Sequence, residues 1–290
     1  MSTPLPVSLP TPEGVKALPA SAMEIDDAET RAYKAARRRQ VWRTRVMPAI
    51  GIAALLFGWW AIVTGLNVKP FIAPSPQLVL QTLFEKRNVL LSNLIPTALE
   101  AAGGFFLGNL VAILMATVFV HNKTLNDIFF PVALMLNSIP VVAKAPVLVL
   151  LMGNGVEPKI AIAALVCFFP SLVNMVRGLN SPNPQALELM RVLSASKTEV
   201  FFKLRLYSSL PYLFSALRIS ASMAVIGAVV GEWIGATVGI GALIIQATFN
   251  FDSALLYSAI VMSAALSGSF FLIVSLLERA VVKWQPEQAH

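Results

Sequence analysis

Long apolar runs alternate along the chain with short polar joints, and this alternation sets the expected elements. Runs near 20 residues, enough for a helix to cross about 30 Å of hydrocarbon, fall at 47–66, 95–120, 128–151, 159–178, 212–235 and 254–277. They predict an all-α, polytopic membrane protein with six transmembrane helices. Two further stretches carry helical signals without the length to span. "PSPQLVLQTLFEKRNVLL" (74–91) reads as a short amphipathic helix, and "GIGALIIQATFNF" (239–251) as an interfacial or re-entrant one. The Gly239-Ile240-Gly241 triplet is no dinucleotide fingerprint, because a third glycine and a preceding strand are missing.

One segment breaks the pattern. "ALELMRVLSASKTEVFFKLRLYSSLP" (186–211) is amphipathic and basic between two apolar runs. Asn183 is a candidate N-cap with Pro184 at the first helical position. Ala186, Leu189, Met190 and Leu193 then share one face at i, i+3, i+4 and i+7. Ser196 and Glu199 form an S-x-x-E capping box for a second helix carrying Val200, Phe201 and Leu204, which Pro211 is expected to end. A short helix-turn-helix with apolar stripes that no membrane covers needs a groove in a partner.

Composition sharpens this picture. The 290 residues are 57% hydrophobic and 13% charged, with mean hydropathy +0.73, against about 25% charged in soluble domains. The lone Cys167 rules out a disulfide framework. The net charge of +7 does not imply nucleic acid, because the cations flank the apolar runs. Arg31, Lys34, Arg37, Arg38, Arg39, Arg43 and Arg45 precede the first span, which places both termini in the cytoplasm by the positive-inside rule. Residues 1–45 read as a disordered tail and basic juxtamembrane segment, and 46–283 as the membrane domain. The turn at 121–127 and the loop at 180–211 are then cytoplasmic, whereas 67–94, 153–158 and 236–253 face outside.

The 186–211 stretch resembles the "EAA" coupling loop of permease subunits of bacterial ABC importers. Glu188 matches the motif's acid and Leu206 its final leucine. Leu189 and Met190 replace the alanines, Ser194 the glycine and Tyr207 the first proline. "APSPQLVLQTL" (73–83), 136–179 and 210–244 are similar to the nitrate/sulfonate/taurine-type branch. This resemblance implies a permease without cofactor of its own, driven by a separate dimeric ATPase that binds ATP. It also implies a second permease copy, an extracytoplasmic solute-binding protein, and a small anionic or heterocyclic solute. Docking to the ATPase would fall to Glu188, Leu189, Met190, Arg191, Leu193, Ser194, Ala195, Ser196 and Phe201.

Polar groups inside spans are costly and mark function or pairing. Glu100 and Lys144 both fall in the outer half and form a candidate buried pair. Arg218 is placed to snorkel inward. Glu232 either lines the pathway, pairs with Lys144 or faces the outer interface. Asn109, Asn137 and Asn174 bond across helices or line a cavity. Pro131, Pro140, Pro146 and Pro170 interrupt two spans, either as helices around transport cavities do or as kinks that serve packing. Candidate pathway residues are therefore Asn137, Pro140, Lys144, Asn174, Glu232 and Trp233. The competing classes are an intramembrane transferase and a stand-alone ion-coupled carrier. No metal-binding or nucleophile–base spacing supports the first, and no inverted repeat the second. No G-x-x-x-x-G-K-[ST] occurs, so ATP chemistry belongs to another chain.

Overall fold

The computed structural model describes residues 46–283 together with Arg38, Arg39 and Trp42. The expected tail and basic segment at 1–45 therefore lie almost wholly outside the described residues. The chain divides into two units, Met1–Ile62 and Val63–His290. The described elements are helical: α1 (Met47–Gly65), α2 (Pro76–Glu85), α3 (Arg87–His121), α4 (Lys123–Ser138), α5 (Val141–Met152) and α6 (Glu157–Leu179). They continue with α7 (Pro184–Val192), α8 (Lys197–Val200), a π-turn (Phe201–Arg205), α9 (Leu206–Glu232), α10 (Ile240–Phe249) and α11 (Ser253–Val281). Five of these stretches are long and apolar enough to cross a membrane, and six if α4 and α5 form one bent span.

The second span starts earlier than its apolar run. Ser75 caps α2 by accepting the Leu78 N–H, with Pro76 at the first helical position, as the sequence predicts. That helix then ends at Lys86 instead of continuing to 91, and α3 begins at Arg87. At 1.5 Å per residue its 35 residues reach about 52 Å, well beyond the hydrocarbon core. The ammonium of Lys86, at the joint, sits 2.6 Å from Asp252, and Asp252 in turn caps α11 through Leu255 N–H. This ties the two expected outer segments together.

Only one of the four prolines in the third and fourth spans breaks a helix. Pro131, Pro146 and Pro170 lie inside α4, α5 and α6. Pro140 sits at the break, where α4 and α5 meet at 100°. Proline disfavours the α region for the residue before it, and Ile139 is extended at φ −71°, ψ 126°. Pro211 also departs from expectation, since it lies inside α9 and ends nothing. The π-turn just before α9, closed by Leu206 N–H on Phe201 C=O, lets the second helix of the insert run into the fifth span.

The core of the second unit is α6 held between α3 and α9. Lipid gives no hydrophobic drive for helices to pair, so close backbone approach must supply the contact. Gly104 and Gly108 of α3 lie on Ala163 and Ala164 of α6, and a Cβ on Gly227 of α9 would come 2.6 Å from Ala163 Cα. Polar groups cross the same interface. Ser171 of α6 donates to Asn109 of α3 and stands 2.9 Å from the Ser220 hydroxyl of α9. Asn109 thus bonds across helices, whereas Asn174 donates to Pro170 C=O on its own helix at 2.8 Å. Arg218 does not merely snorkel, because its guanidinium pairs with Glu278 of α11 at 3.2 Å.

Candidate functional site

Three places gather the residues that the sequence singled out. The first is the insert. Asn183 caps α7 with Pro184 at its first position, and Ser196 and Glu199 close a reciprocal capping box on α8. Between them the chain turns through Ser194 at φ 54°. Ser194 N–H bonds Arg191 C=O and Ala195 N–H bonds Met190 C=O, each at 2.9 Å, which is the Schellman pattern of a helix ending in a left-handed residue. A serine there carries a steric cost that glycine avoids. Ser194→Gly should therefore stabilise the loop by up to about 1 kcal/mol, and Ser194→Val should destabilise it. Limited proteolysis of the loop in the purified permease measures both.

The structure sorts the expected docking residues by face. Leu189 and Leu193 are 59% and 66% exposed, and Val192, outside the predicted stripe, is 81% exposed. Glu188, Arg191, Ser194 and Ser196 are also exposed, while Ala186, Met190 and Ala195 are half-buried. Phe201 turns the other way. It packs on the buried cluster of Phe119, Leu172, Met175 and Leu179 and meets the His121 ring at 5.0 Å, tilted by 52°, so it braces the insert against the bundle.

The second place is a cavity of about 520 Å³ at the α4–α5 break. Phe129, Leu136, Phe168 and Phe169 help form its apolar walls, and Asn137 and Lys144 are its two polar side chains. Ligand pockets commonly have this size and this mixture of apolar wall with a few polar groups. Of the expected pathway residues, the structure brings Asn137 and Lys144 together here, with Pro140 at the adjoining break.

The third place holds Glu232, away from that cavity and 1% exposed. Its carboxylate accepts from Thr97 Oγ1 and from Gly241 N–H, each at 2.6 Å. Thr97 Oγ1 accepts Ile240 N–H at 2.8 Å and Asn93 Oδ1 accepts Gly239 N–H at 2.9 Å. The orphan amides that open α10 are thus satisfied by side chains of α3 and α9. Gly239, at φ 118°, makes the turn into α10. Trp233, next to Glu232, points outward and is 42% exposed. The pairing of Glu100 with Lys144 is overturned: Glu100 bonds Lys159 of α6 at 3.1 Å, and both side chains are buried. Lys159 went unread in the sequence, although a cation in the first turn of a helix opposes the helix dipole and so signals a partner.

The chain is similar to known proteins along most of its length. The model of a family described as binding-protein-dependent transport system inner membrane component matches residues 108–283. The formylaminopyrimidine transport permease protein ThiX of Halalkalibacterium halodurans is 32% identical over 79% of this chain and 92% of its own length. The riboflavin transport system permease protein RibX of Chloroflexus aurantiacus is 33% identical over 82% and 91%. The taurine transport system permease protein TauC of Escherichia coli is 25% identical over 86% and 95%.

Proposed function

The chain belongs to the family of binding-protein-dependent transport system inner membrane components and is the permease subunit of an ABC importer for small solutes, and from that premise we propose that it works as a homodimer with both termini in the cytoplasm, passing an anionic or heterocyclic solute by way of the cavity at the α4–α5 break. As an inner-membrane, multi-pass transport permease it is not an enzyme. Its system includes a partner ATPase that binds ATP and a solute-binding protein.

The observation that carries the pathway reading is the cavity itself. A broken span exposes backbone polar groups, and membranes tolerate these only where protein or a water-filled space covers them. Lys144 offers a charge to an anion, Asn137 a donor and an acceptor to a ring amide, and the phenylalanines a surface for stacking. The named solutes of the relatives, a formylated aminopyrimidine and riboflavin in two cases and taurine in a third, span that chemistry. Two features support the orientation. The turn at 121 and the insert meet at one end of the bundle through His121 and Phe201. The segments at 67–94 and 236–253 meet at the other through Lys86–Asp252 and Asn93–Gly239, which would form one face for the binding protein.

Reconstituted permease with its ATPase and binding protein tests the reading by solute uptake. A charge-assisted contact is worth about 1.5–3 kcal/mol, so Lys144→Gln should lower uptake of an anionic solute roughly tenfold or more with ATPase assembly intact. For a neutral heterocycle, Asn137→Ala should carry the larger loss. Normal uptake of every accepted solute in both variants would remove this cavity from the pathway.

A further inference from the structure

The carboxyls of Glu100 and Glu232 meet beneath the N-terminus of α10, and the protein supplies one hydrogen-bond donor too few for them. Lys159 Nζ reaches Glu100 Oε1 at 3.1 Å. The hydroxyl of Thr97 and the N–H of Gly241 reach the two oxygens of Glu232 at 2.6 Å each. Glu100 Oε2 is left buried with no donor, in a residue 1% exposed. Thr97, which bonds Glu232, stands one turn from Glu100 on α3, and a Cβ on Gly231, next to Glu232, would come 3.1 Å from Lys159 Cα, so the two carboxyls lie in one cluster. Ionised carboxylates only accept, and two of them side by side in a low-dielectric interior repel.

The charges leave the same gap. The cluster holds two carboxyls and one ammonium, each residue no more than 6% exposed. Among the described residues the other groups bonded to it are neutral: the Thr97 hydroxyl, the Asn93 amide and the backbone amides of 239–241. The ion pairs Lys86–Asp252 and Arg218–Glu278 involve other residues. With both carboxyls ionised the cluster would be a buried monoanion. A bound metal cation does not fit, because hard cations need about six oxygen ligands or more and one free oxygen remains. A water could donate to Glu100 Oε2, but it would leave the charge uncancelled.

We propose that Glu100 and Glu232 share one resident proton, lying between Glu100 Oε2 and the Glu232 carboxyl. It provides the missing donor, brings the cluster to neutrality, and completes the lock that holds α10 against α3 and α9. Glu232 and Thr97 are on this view positioning residues for α10. The proposal stands apart from the transport pathway, since none of these residues lines the cavity at the α4–α5 break.

The test uses the complete permease–ATPase complex in lipid nanodiscs. Infrared spectra of the wild type in neutral buffer should contain a protonated-carboxyl C=O stretch that is lost in Glu100→Gln, whose amide donates permanently in place of the proton. Hydrogen exchange should show the first amides of α10 losing protection in alkaline buffer in the wild type, as the proton leaves. The same amides in Glu100→Gln should stay protected at that pH. Identical carboxyl spectra, or equal alkaline sensitivity in the two proteins, would overturn the shared proton. So would stabilisation by sodium or potassium without the carboxyl band. If Glu100→Gln does not assemble, the wild-type titration decides: band and protection vanishing together support the proposal, and absence of the band in neutral buffer ends it.

Discussion

Replacing Lys159 by methionine is expected to cost about 3–5 kcal/mol, enough to remove most folded permease from the membrane. Lys159 and Glu100 are buried on α6 and α3 and bonded at 3.1 Å, where the first turn of α6 packs on α3. Methionine keeps much of the lysine's length, so the loss comes mainly from charge and not from a void. It leaves Glu100 beside Glu232 without a cation, in surroundings where water cannot screen either carboxyl. The double variant Glu100→Gln with Lys159→Met removes the carboxyl that faced the lysine and leaves Glu232 as the one acid of the cluster, so it should recover part of the loss, since deleting both partners of a buried pair costs less than deleting one. Lys144→Met serves as the contrast. Lys144 has no ion-pair partner among the described residues, so its loss should cost under about 1 kcal/mol. Fluorescence-detected size exclusion of the three proteins, each expressed with the ATPase, gives the order. A Lys159→Met protein as abundant as wild type would show that the pair contributes nothing to assembly.

That contrast also marks what a sequence can convey about such a protein. Spans are legible because hydrocarbon imposes a length and a composition, and each expected run has a helix over it, the third as a bent pair. Caps are legible because they are local: Ser75, Asn183 and the Ser196–Glu199 box all stand where side-chain spacing puts them. Which helix faces which is not local. Span position alone pairs Glu100 with Lys144, and only the packing of α6 between α3 and α9 selects Lys159 instead. The prolines teach the same lesson. Pro131, Pro146 and Pro170 each remove one N–H and the helix continues, whereas at Pro140 the chain turns through an extended Ile139. Nothing in the residue type separates the four. Glu232 was visible as an anomaly, yet its part in capping α10 depends on Asn93 and Thr97, which lie about 140 residues away in the chain.

Val192→Asp and Leu193→Asp are each expected to leave the permease inserted and folded but to release the ATPase during purification. The argument starts from local geometry. The α7 helix is only nine residues long, too short to be stable by itself, and it is set by its Asn183 cap and by the Schellman turn at Ser194. That turn fixes the direction in which the end of α7 points. Leu189, Val192 and Leu193 are left between 59% and 81% exposed, a cluster at i, i+3 and i+4 on a helix with no buried residue, while Phe201, farther along the insert, packs on the bundle. Covering one such side chain is worth about 1.5–3 kcal/mol, and interface energy concentrates in a few central residues. An aspartate at the centre both forfeits that burial and demands desolvation of a charge, so a modest interface is lost altogether. Because Val192 and Leu193 make no buried contact within the permease, thermal unfolding of the variant alone should match wild type. Lys203→Ala is the control, since its exposed pair with Glu199 contributes less than about 1 kcal/mol. ATPase stoichiometry after affinity purification reads the result. Stoichiometric ATPase on both Val192→Asp and Leu193→Asp, with normal uptake, would mean that α7 is not the knob that couples the two subunits.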